Sequence, residues 1–240
     1  MSEFSPTEAF PYRIFFPEMS EVIMKSYQFL LFDLDGTLTD PGEGITNSVV
    51  YALEKFDIHV TDKTTLYPFI GPPLIESFMK FYGFSYENAL LAVEYYREYF
   101  RDRGIFENVP YEGIAELLKT LKNAGKTLIV ATSKPEPFAR RITEHFDLDQ
   151  YFDYVAGAGF DETRAEKWDV IEYALSTMNI TDRSQAVMIG DRKHDIIGAK
   201  KTGLDSIGVL WGYGNRDELT AAGADTIFEQ VDNLYSLAKQ

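Results

Sequence analysis

Short apolar runs alternate with longer amphipathic stretches along most of the chain. Runs long enough for one buried strand occupy residues 29–32, 127–131, 154–156, 186–189 and 206–210, with a last one near Ile227. Apolar residues at helical spacing fill residues 114–121, 138–145, 167–178 and 195–202, with a final helix near Leu234. This alternation predicts an α/β fold, in which a Rossmann-like parallel sheet with right-handed crossovers carries helices on both faces.

Residues 41–108 depart from this alternation because helical patterns fill them almost throughout. Three apolar stripes define the helices: Ile45, Val49, Ala52, Leu53 and Phe56; Leu74, Ile75, Phe78, Met79 and Tyr82; Leu90, Leu91, Val93, Tyr95, Tyr96 and Phe100. The segment separates the first predicted strand from the next. We therefore predict an α/β core of residues 26–40 and 109–240 with an inserted all-helical domain, 41–108. An insertion there can close over a site and exclude water.

The first 25 residues do not fit the α/β pattern. Pro6, Pro11 and Pro17 interrupt the segment, which is also rich in aromatic residues. We interpret residues 1–25 as an N-terminal extension to which the sequence assigns no role. The sequence leaves open whether the native chain begins at Met24.

Charge and composition restrict the classes of partner. The chain of 240 residues has 23 basic and 38 acidic residues, for a net charge of −15, so binding to a nucleic-acid backbone is unfavourable. Small phosphorylated anions are repelled as well, so a site for them needs a local cation. With no cysteine, disulfides and thiol catalysis are excluded. No apolar run is long enough for a membrane helix and no signal peptide is apparent, so we expect a cytoplasmic protein without membrane contact.

Two carboxylates follow the first predicted strand. Asp33 and Asp35 come directly after Phe32, and Gly36 indicates that the chain turns there. The carboxyl end of a strand is where open α/β sheets bind ligands. At this spacing one carboxylate can attack an electrophile while its neighbour moves protons. The alternative is a strand that ends in an Asp-rich turn without chemistry.

A second acidic pair follows the strand at residues 186–189. Asp191 lies at the end of that strand, and Asp195 lies one helical turn further on. Carboxylates gathered at one sheet edge repel each other unless a cation joins them. A few hard oxygen ligands, with room for water and phosphate oxygens, favour Mg²⁺ over Ca²⁺ or Zn²⁺. The alternative is a helix that begins with Asp in its first turn, which the helix dipole favours.

Two further segments offer groups for an anion. Thr132, Ser133 and Lys134 follow the strand at 127–131, where a hydroxyl and backbone N–H groups can bind a phosphate oxygen. The same residues could serve only as an ordinary helix cap. Lys167 begins a predicted helix, where its charge opposes the dipole unless it faces an anion.

These four segments, in this order, resemble the haloacid dehalogenase superfamily. The resemblance implies that Asp33 is the nucleophile and Asp35 the acid/base, and that Thr132 binds phosphate while Lys167 steadies the nucleophile. It also implies a helical cap formed by the insertion, and Mg²⁺ held by Asp33, the backbone carbonyl of Asp35 and Asp191. The expected metal residues are Asp33, Asp35, Asp191 and Asp195. The expected substrate-binding residues are Gly36, Thr132, Ser133, Lys134 and Lys167.

The implied activity is Mg²⁺-dependent hydrolysis of a small phosphomonoester through an aspartyl-phosphate. Within the superfamily, residues 203–214 look like the phosphoglycolate-phosphatase branch, whereas residues 71–78 and 163–164 are similar to 5′-nucleotidases. The longer similarity favours phosphoglycolate, and the alternative is a nucleoside 5′-monophosphate. A phosphosugar mutase and a non-enzymatic binding protein also remain open, as does the choice between monomer and dimer.

The two candidate substrates need different side chains in the insertion. Phosphoglycolate requires a cation for its carboxylate, which Arg97, Arg101 or Lys80 could supply. A nucleotide requires an apolar slot and a stacking ring, for which we predict Phe69, Ile70 and Phe78.

Overall fold

The computed structural model describes residues 25–159, 164 and 166–239. The strands are β1 (Phe29–Phe32), β2 (Thr39–Asp40), β3 (Val109–Pro110), β4 (Thr127–Pro135), β5 (Tyr154–Ala158), β6 (Ala186–Gly190), β7 (Asp205–Val209) and β8 (Thr226–Phe228). The α-helices are α1 (Gly42–Glu54), α2 (Leu74–Tyr82), α3 (Tyr86–Tyr99), α4 (Ile114–Asn123), α5 (Glu136–His145), α6 (Lys167–Thr177), α7 (Lys193–Thr202) and α8 (Arg216–Ala222). The predicted N-terminal extension lies, except for Lys25, outside the described residues.

Six strands form one parallel sheet in the order β5-β4-β1-β6-β7-β8. β1 is central, and Phe29 is in register with Thr127 of β4 and Ala186 of β6. Alternate residues of β1 enter two separate apolar clusters. Leu30 belongs to one and Leu31 to the other, because successive side chains point to opposite faces of a strand. Both faces of the sheet are therefore buried, which confirms the predicted α/β class.

Helices cover the two faces as the sequence pattern predicted. α6 and α7 contribute Val170, Ile171 and Ala199 to the cluster that contains Leu31. α4 and α5 contribute Leu117 and Ile142 to the cluster that contains Leu30. A parallel sheet buried on both sides explains why the strand sequences are continuous apolar runs.

The helical insertion, residues 42–104, lies between β2 and β3. It contains α1, α2 and α3, a 3₁₀ segment (Lys63–Phe69) and a π-helical turn (Phe100–Gly104). β2 and β3 pair as an antiparallel ribbon, so the chain enters and leaves the insertion at one place. The predicted domain boundaries at 41 and 108 lie beside this ribbon and stay predictions.

Aromatic residues form much of the interior of the insertion. Tyr96 and Phe100 are buried and stacked, with their ring centroids 5.3 Å apart. Phe78 is fully buried and stacked against Phe84 at 5.9 Å. This packing gives the insertion an apolar core that continues the cluster containing Leu30.

The structure differs from the sequence pattern in two elements near the site. Strand β4 continues four residues beyond the predicted run, to Pro135, after an irregular step that pairs Pro135 with Ala158. Helix α8 was not predicted, since its sequence carries few apolar residues, and Leu219 is its buried residue. The Asn215 side chain caps α8 by accepting a hydrogen bond from Glu218 N. None of the described helices has the length and apolarity needed to cross a membrane.

Candidate active site

Three neighbouring strands end at one edge of the sheet and bring the motif residues together. Asp33 and Asp35 follow β1, Thr132 lies in β4, and Asp191 follows β6. Asp33 continues the pairing of β1 with β6, since its backbone N–H donates to Ile189 O at 2.9 Å. The Asp33 backbone is therefore bonded to the neighbouring strand at the point where its carboxylate projects.

Lys167 ties two of the carboxylates together from the first turn of α6. Its Nζ lies 2.7 Å from Asp33 Oδ1 and 2.8 Å from Asp195 Oδ1, and it donates to Ala131 O at 3.0 Å. Burial alone would lower the pKa of Lys167, but the carboxylates of Asp195 and Asp33 raise it. The side chain therefore stays an ammonium group, and these anions explain a lysine at the start of a helix.

Asp191 completes a cluster of buried acidic groups. One carboxylate oxygen from each of Asp33, Asp191 and Asp195 lies within 4.8 Å of the others. Asp191 is fully buried and accepts hydrogen bonds from Tyr213 N at 2.7 Å and Thr37 Oγ1 at 3.4 Å. Burial, together with Asp195 and Asp33, raises the pKa of Asp191 well above its usual range. The cluster is thus electrostatically unbalanced without a further cation.

The donor set of this cluster fits a hard divalent cation. Its carboxylate oxygens are the ligand type that Mg²⁺ prefers, and the Lys167 ammonium alone does not balance three carboxylates. Gly36, with φ +87°, and Gly212 allow the loops to approach Asp191, because a Cβ on either residue would overlap its side chain. The protein therefore builds a tight enclosure around this carboxylate.

Asp35 faces a different partner. Its Oδ2 lies 2.7 Å from Lys134 Nζ, while its buried Oδ1 has no hydrogen-bond partner among the described residues. The Lys134 ammonium also lies 4.6 Å from the centroid of the Phe100 ring. Burial raises the pKa of Asp35, and Lys134 acts in the opposite direction. The sequence predicted Lys134 near substrate but not this pair; the role of the Asp35 carbonyl as a metal ligand stays a prediction.

The predicted phosphate-binding residues differ in whether they line the cavity. Thr132 and Ser133 line the cavity described below, and Thr132 Oγ1 accepts a hydrogen bond from Lys134 N at 3.2 Å. That bond leaves the Thr132 hydroxyl proton available to donate to a ligand. Gly36 N already donates to Thr39 O at 2.8 Å. The structure gives Gly36 a steric role beside Asp191, and its predicted contact with substrate stays untested.

One cavity of about 970 Å³ joins the acidic edge to the helical insertion. Asp33, Asp35, Thr132, Lys167 and Asp195 line it on the side of the core. Much of the opposite wall is apolar and includes Pro72, Leu74, Met79, Tyr86, Leu90 and Leu91. A ligand in this cavity can therefore place a charged group on the core and an apolar group against the insertion.

Basic side chains that line the cavity are paired with carboxylates. Arg97 lies 3.1 Å from Glu94, and Arg192 lies 3.0 Å from Glu218, in addition to the Lys134 and Lys167 pairs above. Of the cations predicted for a substrate carboxylate, Arg97 reaches the cavity, whereas Arg101 and Lys80 are not among its described lining residues.

The predicted aromatic slot is only partly present. Phe69 lines the cavity, but Ile70 and Phe78 are packed inside the insertion, at 1% and 0% exposure. The apolar wall is formed instead by the residues of α2 and α3 named above. Leu74, Met79, Leu90 and Leu91 belong to the apolar stripes that the sequence pattern predicts, so periodicity alone does not distinguish core from cavity.

Tyr213 is a site residue that the sequence motifs did not reveal. Its backbone N–H binds Asp191, and its hydroxyl donates to Asp40 Oδ1 in β2. Its ring packs edge-on against Tyr67 of the insertion, with centroids 5.5 Å apart. Tyr213 therefore connects the acidic cluster with the ribbon and the insertion. Its position in the glycine-rich tail, after Gly212, was the available signal.

Comparison with known proteins identifies the class. The family model of haloacid dehalogenase-like hydrolases matches residues 30–209. The chain therefore belongs to the haloacid dehalogenase-like hydrolases, and the prediction of an enzyme of this family is confirmed.

Three similar proteins illustrate the range of the family around this chain. A 5′-nucleotidase of Pseudomonas aeruginosa is 48% identical over 195 residues, which cover 81% of this chain and 88% of that protein. The tyrosine-protein kinase PtkA of Mycobacterium tuberculosis is 42% identical over 213 residues, which cover 88% of this chain and 72% of PtkA. The crystal structure of a predicted phosphatase from Clostridium acetobutylicum superposes with a TM-score of 0.85 at 52% identity, covering 88% of this chain and 97% of that chain.

The unbalanced acidic cluster predicts how Asp191→Asn changes stability. In the presence of a chelator, Asp191→Asn should unfold at a higher temperature than wild type, because a neutral amide removes a buried like charge. Mg²⁺ at roughly 100 times its dissociation constant should raise the wild-type midpoint by about 5 °C or more, since it contributes about 2.7 kcal/mol. The variant should lose most of this shift. Differential scanning calorimetry with and without Mg²⁺ measures both effects.

Asp217→Asn is the matched control, because Asp217 is exposed in the first turn of α8. It should respond to Mg²⁺ as wild type does. An undiminished Mg²⁺ shift in Asp191→Asn would show that Asp191 does not bind the cation.

Proposed function

We propose that this hydrolase is a Mg²⁺-dependent phosphomonoesterase that works through an aspartyl-phosphate. The observation that carries the proposal is the Lys167 ammonium held between Asp33 and Asp195, beside Asp191 and at the wall of a large cavity. This arrangement offers an oriented carboxylate and a place for a cation at the same point. Asp35 and Thr132 line the same cavity, so acid/base and phosphate-binding groups are within the site.

Asp33 is the nucleophile in this proposal. One of its carboxylate oxygens attacks phosphorus in line with the bond to the leaving alkoxide, which forms the aspartyl-phosphate and breaks that bond. Lys167 fixes the orientation of the Asp33 carboxylate and places a positive charge beside the phosphoryl oxygens. Mg²⁺ bound by the acidic cluster would neutralise charge on the carboxylates and the phosphate.

Asp35 acts as acid and then as base. It gives a proton to the leaving alkoxide in the first step and takes one from water when the aspartyl-phosphate is hydrolysed. Burial raises the pKa of Asp35, which favours the protonated form that a general acid requires. Lys134, at 2.7 Å, holds the carboxyl group in place within the cavity. Thr132 donates its hydroxyl proton to a phosphate oxygen.

The shape of the cavity favours a phosphomonoester with a large, partly apolar alcohol. The wall formed by α2 and α3 offers apolar surface, and the basic residues named above already have carboxylate partners. A small acid such as phosphoglycolate would have to share one of these cations with the carboxylate that already pairs with it. A nucleoside 5′-monophosphate places its base against the apolar wall and needs no second cation. We therefore propose a nucleoside monophosphate as substrate, and the similarity to a 5′-nucleotidase supports this choice.

Replacement of the nucleophile should abolish turnover. Asp33→Asn keeps the shape of the side chain and one oxygen for Lys167, so the fold should be preserved. Activity should fall by roughly 10³-fold or more, because an amide oxygen is a poor nucleophile. Steady-state hydrolysis of p-nitrophenyl phosphate with Mg²⁺ measures the loss, and a hydroxylamine-sensitive phosphoenzyme should be absent. Substantial residual activity in a folded variant would rule out Asp33 as nucleophile.

Replacement of the acid/base should depend on the leaving group. Asp35→Asn should slow hydrolysis of alkyl phosphates roughly 10²-fold more than that of p-nitrophenyl phosphate, because nitrophenolate leaves without a proton. Single-turnover rates of phosphoenzyme formation with both substrates measure the difference. Asp217→Asn is the control, because this exposed carboxylate is not among the described lining residues of the cavity and both rates should stay at their wild-type values. Equal losses in Asp35→Asn would assign Asp35 a purely structural role.

The proposed substrate class predicts an order of specificity. Measured kcat/KM for nucleoside 5′-monophosphates should exceed that for phosphoglycolate by tenfold or more, about 1.4 kcal/mol in the transition state. Leu90→Ser, at an exposed position of the apolar wall, should lower the value for nucleotides several-fold and leave phosphoglycolate almost unaffected. A panel that also includes sugar phosphates tests the order. A preference for phosphoglycolate would overturn the proposed substrate while leaving the phosphatase mechanism intact.

A further inference from the structure

We propose that Arg192 is a specificity-determining positioning residue, which fixes one wall of the leaving-group cavity on the catalytic core. The inference rests on the proposed function for the reaction itself. It adds a residue that holds the insertion in a fixed position relative to the site. The wall is the segment 70–73, here called the strap, which connects the 3₁₀ segment to α2. Gly71, Pro72 and Pro73 of the strap line the cavity.

The guanidinium group of Arg192 spans from the core to the insertion. Arg192 lies in the loop between β6 and α7, immediately after Asp191. Its Nη1 donates to Ile70 O in the strap at 2.5 Å, and its Nε donates to Glu218 Oε1 at 3.0 Å. The Arg192 side chain is 14% exposed, so both contacts are largely shielded from water. This bridge joins segments that are 122 positions apart in the chain.

Apart from the bond to Arg192, the described backbone hydrogen bonds of the strap stay inside the insertion: Ile70 N donates to Tyr67 O at 2.9 Å, and Pro73 O accepts from Ser77 N at 3.1 Å. The Ile70 side chain is buried in the apolar interior. Pro72 and Pro73 have no backbone N–H to donate, and α2 begins at Leu74 without a side-chain cap. Gly71 adopts φ +104°, and a Cβ there would lie 3.4 Å from Arg192 Cγ and Nη1. The strap therefore passes close over the arginine side chain, and the Ile70 carbonyl is its bonded point of attachment to the core.

Glu218 orients the Arg192 side chain by accepting a hydrogen bond from its Nε. Its carboxylate accepts hydrogen bonds from Arg192 Nε and from Lys193 N, the latter at 2.9 Å. Burial alone would raise the pKa of Glu218, but these hydrogen bonds and the two positive charges lower it. The helix α8 that carries Glu218 begins at the Asn215 cap, so a short polar helix supplies a fixed anion for Arg192.

The same residue also contacts the catalytic centre. The backbone N–H of Arg192 donates to Asp195 Oδ2 at 3.0 Å, and the other oxygen of Asp195 contacts Lys167. Arg192 therefore links the position of the strap to that of Asp195 and Lys167, which orient the nucleophile. Hydrolysis of a substrate whose leaving group is large enough to touch the strap should depend on this link. Hydrolysis of a small substrate, which is held by its phosphoryl group, should not.

The test compares leaving groups of different size in Arg192→Met, which keeps an unbranched stem but removes the donors. The kcat/KM for p-nitrophenyl phosphate and for nucleoside monophosphates should fall at least tenfold more than the kcat/KM for acetyl phosphate. The Mg²⁺-induced shift in unfolding temperature should persist, since the backbone contact to Asp195 remains. Arg216→Met is the matched control, because Arg216 pairs with Glu229 on the surface, and it should leave all three substrates unchanged.

A second variant tests the route through Arg192. Glu218→Gln should give the same selectivity pattern at smaller amplitude, and the double variant Arg192→Met/Glu218→Gln should match Arg192→Met alone. Equal losses for large and small leaving groups, or no loss in Arg192→Met, would overturn the inference. Because p-nitrophenyl phosphate and acetyl phosphate report on the strap by themselves, failure of wild type to use nucleotides would reject only the proposed substrate.

Discussion

The buried ion cluster around Lys167 is the constraint on which the rest of the site depends. An ammonium group at 5% exposure requires anions close by, and Asp33 and Asp195 supply them at 2.7 and 2.8 Å. The fold meets this requirement by bringing the ends of β1 and β6 and the start of α6 to one edge. Packing places α6 and α7 against the same face of the sheet, which brings Lys167 close to Asp195. The position of the Asp33 carboxylate, the proposed nucleophile, is thus a product of the sheet.

The strand ends and the chemistry they carry were predictable from the sequence because both signals are local. Apolar runs locate β1 and β6, and the carboxylates that follow them occupy one edge in any parallel sheet. Relations that depend on distant segments were not predictable. Lys134, which pairs with Asp35, lies in the part of β4 that continues beyond the predicted strand, and the bond from Arg192 ends on a backbone carbonyl that carries no sequence signal.

The insertion illustrates why periodicity identifies helices better than it identifies their surroundings. The stripes that contain Phe78 and Leu90 both predict amphipathic helices, yet Phe78 is fully buried and Leu90 is 39% exposed beside the cavity. An apolar stripe indicates that one face of a helix is shielded from water. What covers that face can be another helix or the apolar part of a ligand. The apolar pattern alone therefore does not distinguish a cavity for a small acid from a cavity for a larger alcohol.

The antiparallel ribbon of β2 and β3 has a consequence for the length of the segment that can be inserted there. Thr39 pairs with Pro110 and Asp40 with Val109, so the two crossings of the chain lie side by side, about 5 Å apart. Because the chain enters and leaves the insertion at adjacent positions, a segment of different length can be closed there at little added entropic cost. An insertion of another length can thus be joined to the same sheet, provided that it supplies its own contacts to the core, as Ile70 does here through Arg192.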